Sequence, residues 1–238
     1  MKDIILLPTY NERENVTIII PEILRTVPDV FVLVIDDNSP DGTAQHVRIL
    51  MDAYPRVSLL RRQIKTGLGD AYIEAMRHVV QNKEVRFIIT MDADGSHAPQ
   101  YLNELLAYGN TYDLVIGSRY VRGGGIARWE TWRKLLSRFG NAYARLLTGL
   151  PIRDCTSGFM CIRREILEKV RLNEISSTGY SFLIELKFHL INILGARMKE
   201  VPIIFQSRQE GESKISNQII SEGVKAPWRL FKKRVWKN

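Results

Sequence analysis

The sequence has few cysteines and no long apolar run. Cys155 and Cys161 are the two cysteines among 238 residues; they are too few and too close together to predict a disulfide framework, so we expect a reducing compartment. The longest apolar candidate, 182–194, contains charged and polar side chains and does not predict a bilayer-spanning helix. A strand-like run follows Met1 almost at once, so we expect no signal peptide.

Two nucleotide-binding signatures are also absent. The first strand-to-helix junction lacks G-x-G-x-x-G, and the chain contains no G-x-x-x-x-G-K-[ST]. These absences argue against a dehydrogenase and against a P-loop NTPase. A hydrophobic content of 45% and a charged content of 25% are ordinary for a soluble globular protein.

The net charge is +8, and the basic residues are clustered. Residues 119–138 contain six Lys or Arg against one acid, and residues 227–238 contain five and no acid. Such clusters fit a nucleic acid, an anionic membrane surface or a phosphorylated substrate. The plain alternative for either cluster is a solvated helix face.

Short apolar runs alternate with helical segments through the first 118 residues. The predicted strands are 4–7, 31–35, 57–60, 87–89 and 114–117, and the predicted helices are 14–24, 43–54, 70–80 and 99–108. Pro21 is expected to kink or split the first helix. This alternation predicts an α/β fold with a mostly parallel, doubly wound sheet whose strand ends share one rim.

The pattern changes after residue 118. Three glycines at 123–125 precede a predicted amphipathic helix, 131–148, whose apolar side carries Leu135, Leu136, Phe139, Tyr143 and Leu146. The remaining predictions are strands at 159–162 and 198–205, helices at 164–170 and 182–194, and a polar, mobile loop at 207–216.

Two carboxylates, Asp92 and Asp94, follow the fourth predicted strand. Alternate residues of an extended backbone point the same way, so both can face one site at the carboxyl end of the strand, where α/β sheets bind ligands. Hard oxygen ligands without Cys or His at metal spacing suit Mg²⁺ or Mn²⁺ carrying a phosphorylated substrate. The alternative is structural: Asp94-Gly95 forms a turn, and Asp92 caps the following helix.

Three motifs lie in order behind predicted strands: PTYNERENV, DDNSPDGT and MDADGSH. Together they resemble the family 2 glycosyltransferases of GT-A (Rossmann-like) fold. In the second half GSRY, the 129–138 stretch, DCTSGF and SRQEGESK resemble the dolichyl-phosphate mannosyltransferases, which make polyprenyl-phosphate mannose from GDP-mannose. The likeness extends from about Ile4 to about Ser216. It implies a single catalytic domain, 1–216, with a nucleotide-sugar-binding half (1–118), an acceptor-binding half (119–216) and a basic amphipathic tail (217–238).

The resemblance assigns donor and metal roles residue by residue. The nucleoside pocket would be lined by Pro8, Tyr10, Glu12, Ile35 and Asp37. Asp92 and Ala93 would touch the nucleotide sugar, and Asp94 would bind the Mg²⁺ or Mn²⁺ that bridges the diphosphate. Ser96 stands where some relatives have a metal ligand, either direct or through a water.

Four basic positions match those with which the family holds phosphate: Arg119, Arg133, Arg208 and Lys214. Arg119 and Arg133 are expected at the acceptor phosphate, and Arg208 and Lys214 at the donor. The catalytic set implied is Asp92, Asp94 and Arg119. The loop 207–216 is expected to act as a lid that closes over the bound phosphates.

The chain lacks the Q-x-x-R-W signature of relatives that need a carboxylate base for a sugar hydroxyl. A polyprenyl phosphate needs no base because its oxygen is already anionic near neutral pH, but it does need a basic cradle. The alternatives are another donor such as UDP-glucose, a basic nucleic-acid-binding protein, which leaves the acidic motifs without a role, and a catalytically inactive scaffold. We expect an enzyme that binds no nucleic acid.

The C-terminal segment predicts a membrane contact. One helical stripe carries Ile220, Val224, Trp228, Phe231 and Val235, with basic residues around it. Such a helix fits an interfacial position on a cytoplasmic leaflet, docking to a membrane-embedded partner subunit, or a chain truncated before its first transmembrane span. We therefore expect a cytoplasmic protein that is peripheral to the membrane.

Overall fold

The computed structural model describes residues 1–177, 179–206 and 217–235. Its main sheet contains β1 (Lys2–Thr9), β2 (Phe31–Asp36), β3 (Val57–Arg61), β4 (Val85–Thr90), β5 (Leu114–Ser118), β7 (Met160–Arg163) and β8 (Met198–Pro202). A second, two-stranded sheet pairs β6 (Gly125–Ile126) with β9 (Ile204–Phe205).

The helices follow the strands in the predicted alternation. They are α1 (Arg13–Thr26), α2 (Thr43–Ala53), α3 (Leu68–Val80), α4 (Leu102–Gly109), α5 (Thr131–Thr148), α6 (Arg164–Leu167), α7 (Ser181–Phe188) and α8 (Asn217–Val235). Short 3₁₀ turns lie at Pro99–Tyr101 and Leu172–Glu174, and a π-helical turn, His189–Ile193, continues α7.

The strand order in the main sheet is β3-β2-β1-β4-β7-β5-β8. β7 is antiparallel to both of its neighbours, β4 and β5, whereas the other pairs are parallel. The expectation of an α/β fold with a mostly parallel sheet is confirmed. β7 and β8 come from the second half of the chain, so the two predicted halves share one sheet.

Apolar side chains cover both faces of this sheet, which explains the uninterrupted apolar runs of its strands. In β1, Leu6 faces the cluster that contains α3 and α7, while Ile5 and Leu7 face the cluster that contains α1 and α4. The core therefore lies in two layers, one on each side. In α/β sheets of this kind, ligands bind at the carboxyl ends of the parallel strands.

Pro21 does not split α1, which runs through it as one helix, since the burial of Ile19, Ile20 and Ile23 outweighs the lost backbone hydrogen bond. Two further elements differ from their predictions. The helix predicted over 164–170 ends at Leu167. The strand predicted over 198–205 is broken after Pro202, which has no N–H for the ladder, and its end joins the second sheet as β9.

Helix α5 is amphipathic as predicted, but its apolar side faces outward. Phe139 is 72% exposed and Leu146 is 77% exposed. The buried side of the helix carries Asn141 and Ala144 instead. Asn141 accepts a hydrogen bond from the Cys155 N–H (2.8 Å), so α5 is attached to the protein through polar and small residues.

Helix α8 packs on α5 and α7. It buries Ala226 and Leu230, while Val224, Trp228 and Val235 of the predicted stripe are exposed. Its Arg229 donates a hydrogen bond to the fully buried carboxylate of Glu185 on α7, at 2.9 Å. In the part of the chain that the structure describes, no helix is both long and apolar enough to span a bilayer.

Candidate active site

Several predicted site residues meet where β1 and β2 end. Pro8 and Ile35 are register partners on these adjacent parallel strands, and the Asp37 N–H donates to the Thr9 carbonyl at 3.0 Å. Ile35 and Asp37 are buried, whereas Pro8, Tyr10 and Glu12 are half-buried along the rim. The structure thus places the residues expected to line a nucleoside pocket on one side of the carboxyl edge.

Asp37 is held by a residue that we did not predict, Arg62. The Arg62 guanidinium forms an ion pair with Asp37 and also donates to Glu74 (2.9 Å) and Thr66 (2.7 Å). Burial raises the pKa of Asp37, although the charges of Arg62 and Lys65 oppose the rise. The sequence feature that could have indicated this contact is the basic, glycine-containing loop before α3.

Lys65 covers the same rim. Its Nζ lies 3.3 Å from the centre of the Tyr10 ring, a cation–π contact. The loop that opens α3 therefore brings positive charge to the predicted donor pocket. That charge suits a nucleotide, which is an anionic ligand.

Asp94 and Ser96 form a tight turn after β4. Asp94 is buried, and its Oδ1 accepts hydrogen bonds from the Ser96 N–H (3.1 Å) and from the Ser96 hydroxyl (2.6 Å). Gly95 has a φ of 75°, a left-handed conformation that glycine adopts without strain. Asp94-Gly95 is thus a turn, as the structural alternative required, and the same turn fixes the Asp94 carboxylate at the sheet edge.

This turn fits a hard divalent cation that also binds a substrate. The Asp94 carboxylate and the Ser96 hydroxyl are oxygen ligands, and a hydroxyl that donates to Asp94 keeps its lone pairs for a cation. The described residues contain no cluster of three His, Cys, Asp or Glu that could enclose a metal ion by themselves. Such a site suits Mg²⁺ or Mn²⁺ that is completed by phosphate oxygens and water.

His97 anchors Asp92 through the backbone. The Asp92 N–H donates to His97 Nδ1 at 3.0 Å, and the imidazole stacks on the Phe159 ring with centroids 4.9 Å apart. Burial lowers the pKa of His97, although Asp92 and Asp94 oppose the shift. The ring is therefore neutral near pH 7, which leaves Nδ1 as an acceptor.

Arg119 lies at the end of β5, held by Asp154 of the DCTSG loop. Asp154 accepts from Arg119 Nε at 2.8 Å and from Nη2 at 2.7 Å, and both side chains are buried. Nη2 also donates to the Thr156 hydroxyl at 2.6 Å. Among the described residues Arg119 Nη1 has no hydrogen-bond partner, so this nitrogen can donate to an anionic ligand.

Lys187 of α7 holds the backbone of the DCTSG loop by hydrogen bonds. Its buried ammonium donates to the carbonyls of Cys155 (3.0 Å) and Ser157 (2.6 Å). Burial lowers the pKa of Lys187 to about 8, against the opposing charge of Asp154. This lysine fixes the loop that in turn fixes Arg119, a role that the sequence did not reveal.

Arg133 lies in the first turn of α5 with its guanidinium near two tryptophan rings, 5.7 Å from that of Trp129 and 5.8 Å from that of Trp132. It makes no ion pair with any described residue, so its charge is available to a ligand. Arg208 and Lys214, with the proposed lid 207–216, lie outside the described residues. Their roles stay predictions.

A family model for glycosyl transferase family 2 matches residues 4–171, which include both the carboxyl-edge motifs and the DCTSG loop. The chain belongs to glycosyltransferase family 2. Among its curated relatives, polyprenol monophosphomannose synthase of Mycolicibacterium smegmatis is 43% identical over 225 residues, which are 94% of this chain and 84% of the relative. Undecaprenyl-phosphate mannosyltransferase of Micrococcus luteus is 41% identical over 224 residues, 94% of this chain and 91% of the relative.

The fold of this glycosyltransferase is also found in solved structures of low sequence identity. Glucosyl-3-phosphoglycerate synthase from Mycobacterium tuberculosis, in complex with Mn²⁺, UDP-glucose and phosphoglyceric acid, superimposes with a TM-score of 0.69 at 17% identity. The match covers 97% of this chain and 80% of that one. This likeness confirms the GT-A-type architecture.

Proposed function

We propose that this glycosyltransferase transfers mannose from GDP-mannose to a polyprenyl (dolichyl) phosphate, with inversion, giving polyprenyl-phosphate β-mannose and GDP. Both curated relatives are named for mannose or phosphomannose chemistry on polyprenyl carriers. The observation that carries the proposal is the pairing of two unlike sites at one sheet edge. The acidic turn with Asp94 suits a metal-bound diphosphate, and Arg119, aligned by Asp154, suits an acceptor phosphate.

The two sites lie close enough to influence each other. The charge of Asp92 helps to raise the pKa of Arg119, and the charge of Arg119 helps to lower the pKa of His97, whose ring lies beside Asp92. A phosphate bound at Arg119 Nη1 would thus be near the sugar that Asp92 and Ala93 are proposed to contact. This proximity favours an in-line reaction of the two bound substrates.

The reaction needs little proton transfer. One anionic oxygen of the acceptor phosphate attacks the anomeric carbon of the mannose, and the bond from that carbon to the GDP oxygen breaks, leaving its electron pair on the diphosphate. Asp94 and Ser96 would hold the Mg²⁺ or Mn²⁺, which neutralises charge on the leaving diphosphate when bound. Arg119 and Arg133 would orient the attacking phosphate and offset its charge.

The outer surface of α5 and α8 supports a position on an anionic membrane. We define the apolar surface as the exposed residues Trp132, Leu135, Leu136, Phe139, Leu146, Val224, Trp228 and Val235. The same two helices also carry accessible basic residues, among them Lys134, Arg138 and Lys232. Exposed apolar side chains and basic residues on the same helices match the acyl boundary and anionic headgroups of a phospholipid leaflet. Contact there would bring Arg133, in the first turn of α5, to the depth at which a lipid phosphate lies.

An assay of a nucleotide-sugar panel with a short polyprenyl phosphate, with and without Mn²⁺, tests the proposed function. We expect metal-dependent transfer from GDP-mannose and release of one GDP for each mannosyl lipid formed. Preferential transfer from UDP-glucose would reassign the donor. Hydrolysis of GDP-mannose without any lipid product would remove the polyprenyl phosphate as acceptor.

A further inference from the structure

Phe205, the last residue of β9, lies between the proposed donor and acceptor sites. Its ring meets the His97 ring edge-on, with centroids 5.4 Å apart. The guanidinium carbon of Arg119 lies 5.3 Å from the centre of the same ring, and the Trp129 ring meets it edge-on at 5.8 Å. One half-buried side chain therefore contacts residues from both halves of the site.

The backbone around Phe205 makes the same connection. The Phe205 carbonyl accepts a hydrogen bond from the Ala127 N–H at 2.9 Å, and Ile126 is its register partner in the second sheet. On the other side, the Gln206 N–H donates to the Ser96 carbonyl at 3.2 Å. The 125–127 segment and the turn that carries Asp94 are thus joined through two consecutive residues.

Each ring contact of Phe205 leads to a group with a proposed role. His97 accepts the Asp92 N–H. Arg119 is a proposed acceptor-phosphate ligand, and Trp129 lies 5.7 Å from the guanidinium of the second such ligand, Arg133. Replacing the Phe205 ring would therefore remove contacts that help to position the Asp92 turn, Arg119 and, through Trp129, Arg133.

An aromatic ring suits this place for a physical reason. Its face attracts the Arg119 cation, and its electropositive edge and electronegative face allow close perpendicular contacts with other rings. A leucine of similar volume would fill the space but would offer neither interaction. The aromatic character of Phe205, and not only its volume, therefore suits its contacts with the Arg119 cation and the neighbouring rings.

We propose that Phe205 is a positioning residue that fixes the acceptor-phosphate arginines relative to the Asp92–Asp94 turn. The inference rests on the proposed function for the identity of the substrates. It does not depend on which nucleotide sugar is the donor, because the contacts of Phe205 are with the protein. Its effect should appear when both substrates must be aligned, and GDP alone should bind as in the wild type.

The test compares Phe205→Leu with Phe205→Tyr, which keeps the ring, in the full chain. The matched control is Phe31→Leu: Phe31 is also half-buried and also has a cation, Lys2 Nζ, 5.5 Å from its ring centre, but it lies at the start of β2, away from the carboxyl edge. For each variant we would measure the KM for a short polyprenyl phosphate, kcat, the affinity for GDP with Mn²⁺ by calorimetry, and Tm.

We expect Phe205→Leu to raise the acceptor KM about fivefold and to lower kcat about tenfold, while GDP affinity and Tm stay near wild type. Phe205→Tyr should restore both kinetic constants, and Phe31→Leu should change neither. Trp129→Leu, which removes only the link to Arg133, should raise the acceptor KM with a smaller effect on kcat.

Wild-type kinetics in Phe205→Leu would overturn the proposal. So would a loss of GDP affinity as large as the loss of turnover, because that pattern indicates a damaged fold. If Phe205→Leu does not fold, Trp129→Leu decides alone, and an unchanged acceptor KM in that variant is contrary evidence. If wild-type protein uses a donor other than GDP-mannose, the proposed function fails, and the Phe205 variants are judged with the donor and nucleotide that it does use.

Discussion

Arg119 and Asp154 form a buried two-point ion pair that fixes the guanidinium at the end of β5, with N–O distances of 2.8 and 2.7 Å. Burial raises the pKa of Asp154, but the charge and hydrogen bonds of Arg119 outweigh burial and the net pKa lies below its ordinary value. The carboxylate is therefore ionised at neutral pH. It engages Nε and Nη2, so an anionic ligand of Arg119 would be bound through the remaining nitrogen, Nη1.

Removing this carboxylate should be costly for stability as well as for activity. Asp154→Asn leaves Arg119 buried without a counter-charge, and we expect the free energy of unfolding to fall by about 3 kcal/mol. Asp29→Asn is the control: Asp29 pairs with Arg56 at the surface, at 3.2 Å, and its loss should cost much less. Urea denaturation at pH 7 measures both. Equal losses in the two variants would contradict a special role for the buried pair.

Asp94→Asn should remove metal-dependent transfer without unfolding the protein. Loss of the carboxylate that we propose holds the cation should lower kcat by about 100-fold or more. The fold should persist, because Asp94 sits in a turn at the sheet edge and not in the apolar core. Calorimetry should show that Mn²⁺ no longer strengthens GDP binding. Retained Mn²⁺-dependent transfer, or full wild-type activity in EDTA, would exclude the metal role.

Arg133→Ala should weaken the lipid acceptor selectively. Its guanidinium makes no ion pair with a described residue, so the substitution should weaken binding of the acceptor phosphate and should not break an ion pair within the protein. We expect the acceptor KM to rise about tenfold. The KM for GDP-mannose should be unchanged. Arg138→Ala, an exposed arginine five residues along the same helix, is the control for general charge. If the donor KM moved instead, Arg133 would belong to the donor site.

The apolar surface of α5 and α8 should determine vesicle binding. Phe139→Asp combined with Leu146→Asp places two anions on that surface, and we expect sedimentation with phosphatidylglycerol vesicles to fall at least about tenfold. Turnover of a water-soluble short polyprenyl phosphate should persist. The control is Ile49→Asp, an exposed apolar residue of α2. Undiminished vesicle binding by the double variant would move the membrane contact elsewhere.

Lys187 should make stability depend on pH above neutrality. Its pKa is about 8 in the folded protein against an ordinary 10.5, so between these values the unfolded chain binds the proton and the folded protein does not. Stability should therefore rise with pH in this window, by up to about 1.4 kcal/mol per pH unit. Below pH 8 both states are protonated, and the contribution is constant.

Urea denaturation of wild type and Lys187→Met at pH 7, 8 and 9 isolates this effect, because groups common to both proteins cancel. The stability of wild type relative to the variant should increase from pH 8 to pH 9. Parallel pH curves for wild type and Lys187→Met would contradict the lowered pKa.

The sequence predicted local and periodic features better than contacts between distant segments. Alternating strands and helices, and the carboxylates after β4, followed from residue pattern alone because each depends on neighbours in the chain. The partner of Arg119 is 35 residues away, and the contact of Lys187 with Ser157 spans 30 residues. Nothing in local pattern specifies such pairs.

Periodicity also says that a helix has an apolar side without saying what that side contacts. The pattern of α5 indicated its apolar residues correctly, yet the helix buries Asn141 and Ala144 and exposes Phe139 and Leu146. The side that the protein buries is determined by hydrogen bonds to the DCTSG loop, which are tertiary contacts. An apolar helix face that is exposed and one that is buried in the core have the same sequence periodicity.

Buried Glu185 makes α7 dependent on the C-terminal helix α8 for its positively charged partners. Its carboxylate is fully buried and takes its counter-charge from Arg229 and, at 3.7 Å, Lys233. A protein shortened at residue 216 would keep the anion and lose both cations, and it would also uncover the site filled by Leu230. The segment that the sequence indicated as a basic amphipathic tail thus supplies the positive charge that faces a buried carboxylate of α7. We therefore expect a stable protein to extend at least through Lys233, so that trimming the C-terminus would impair folding together with any membrane contact of α8.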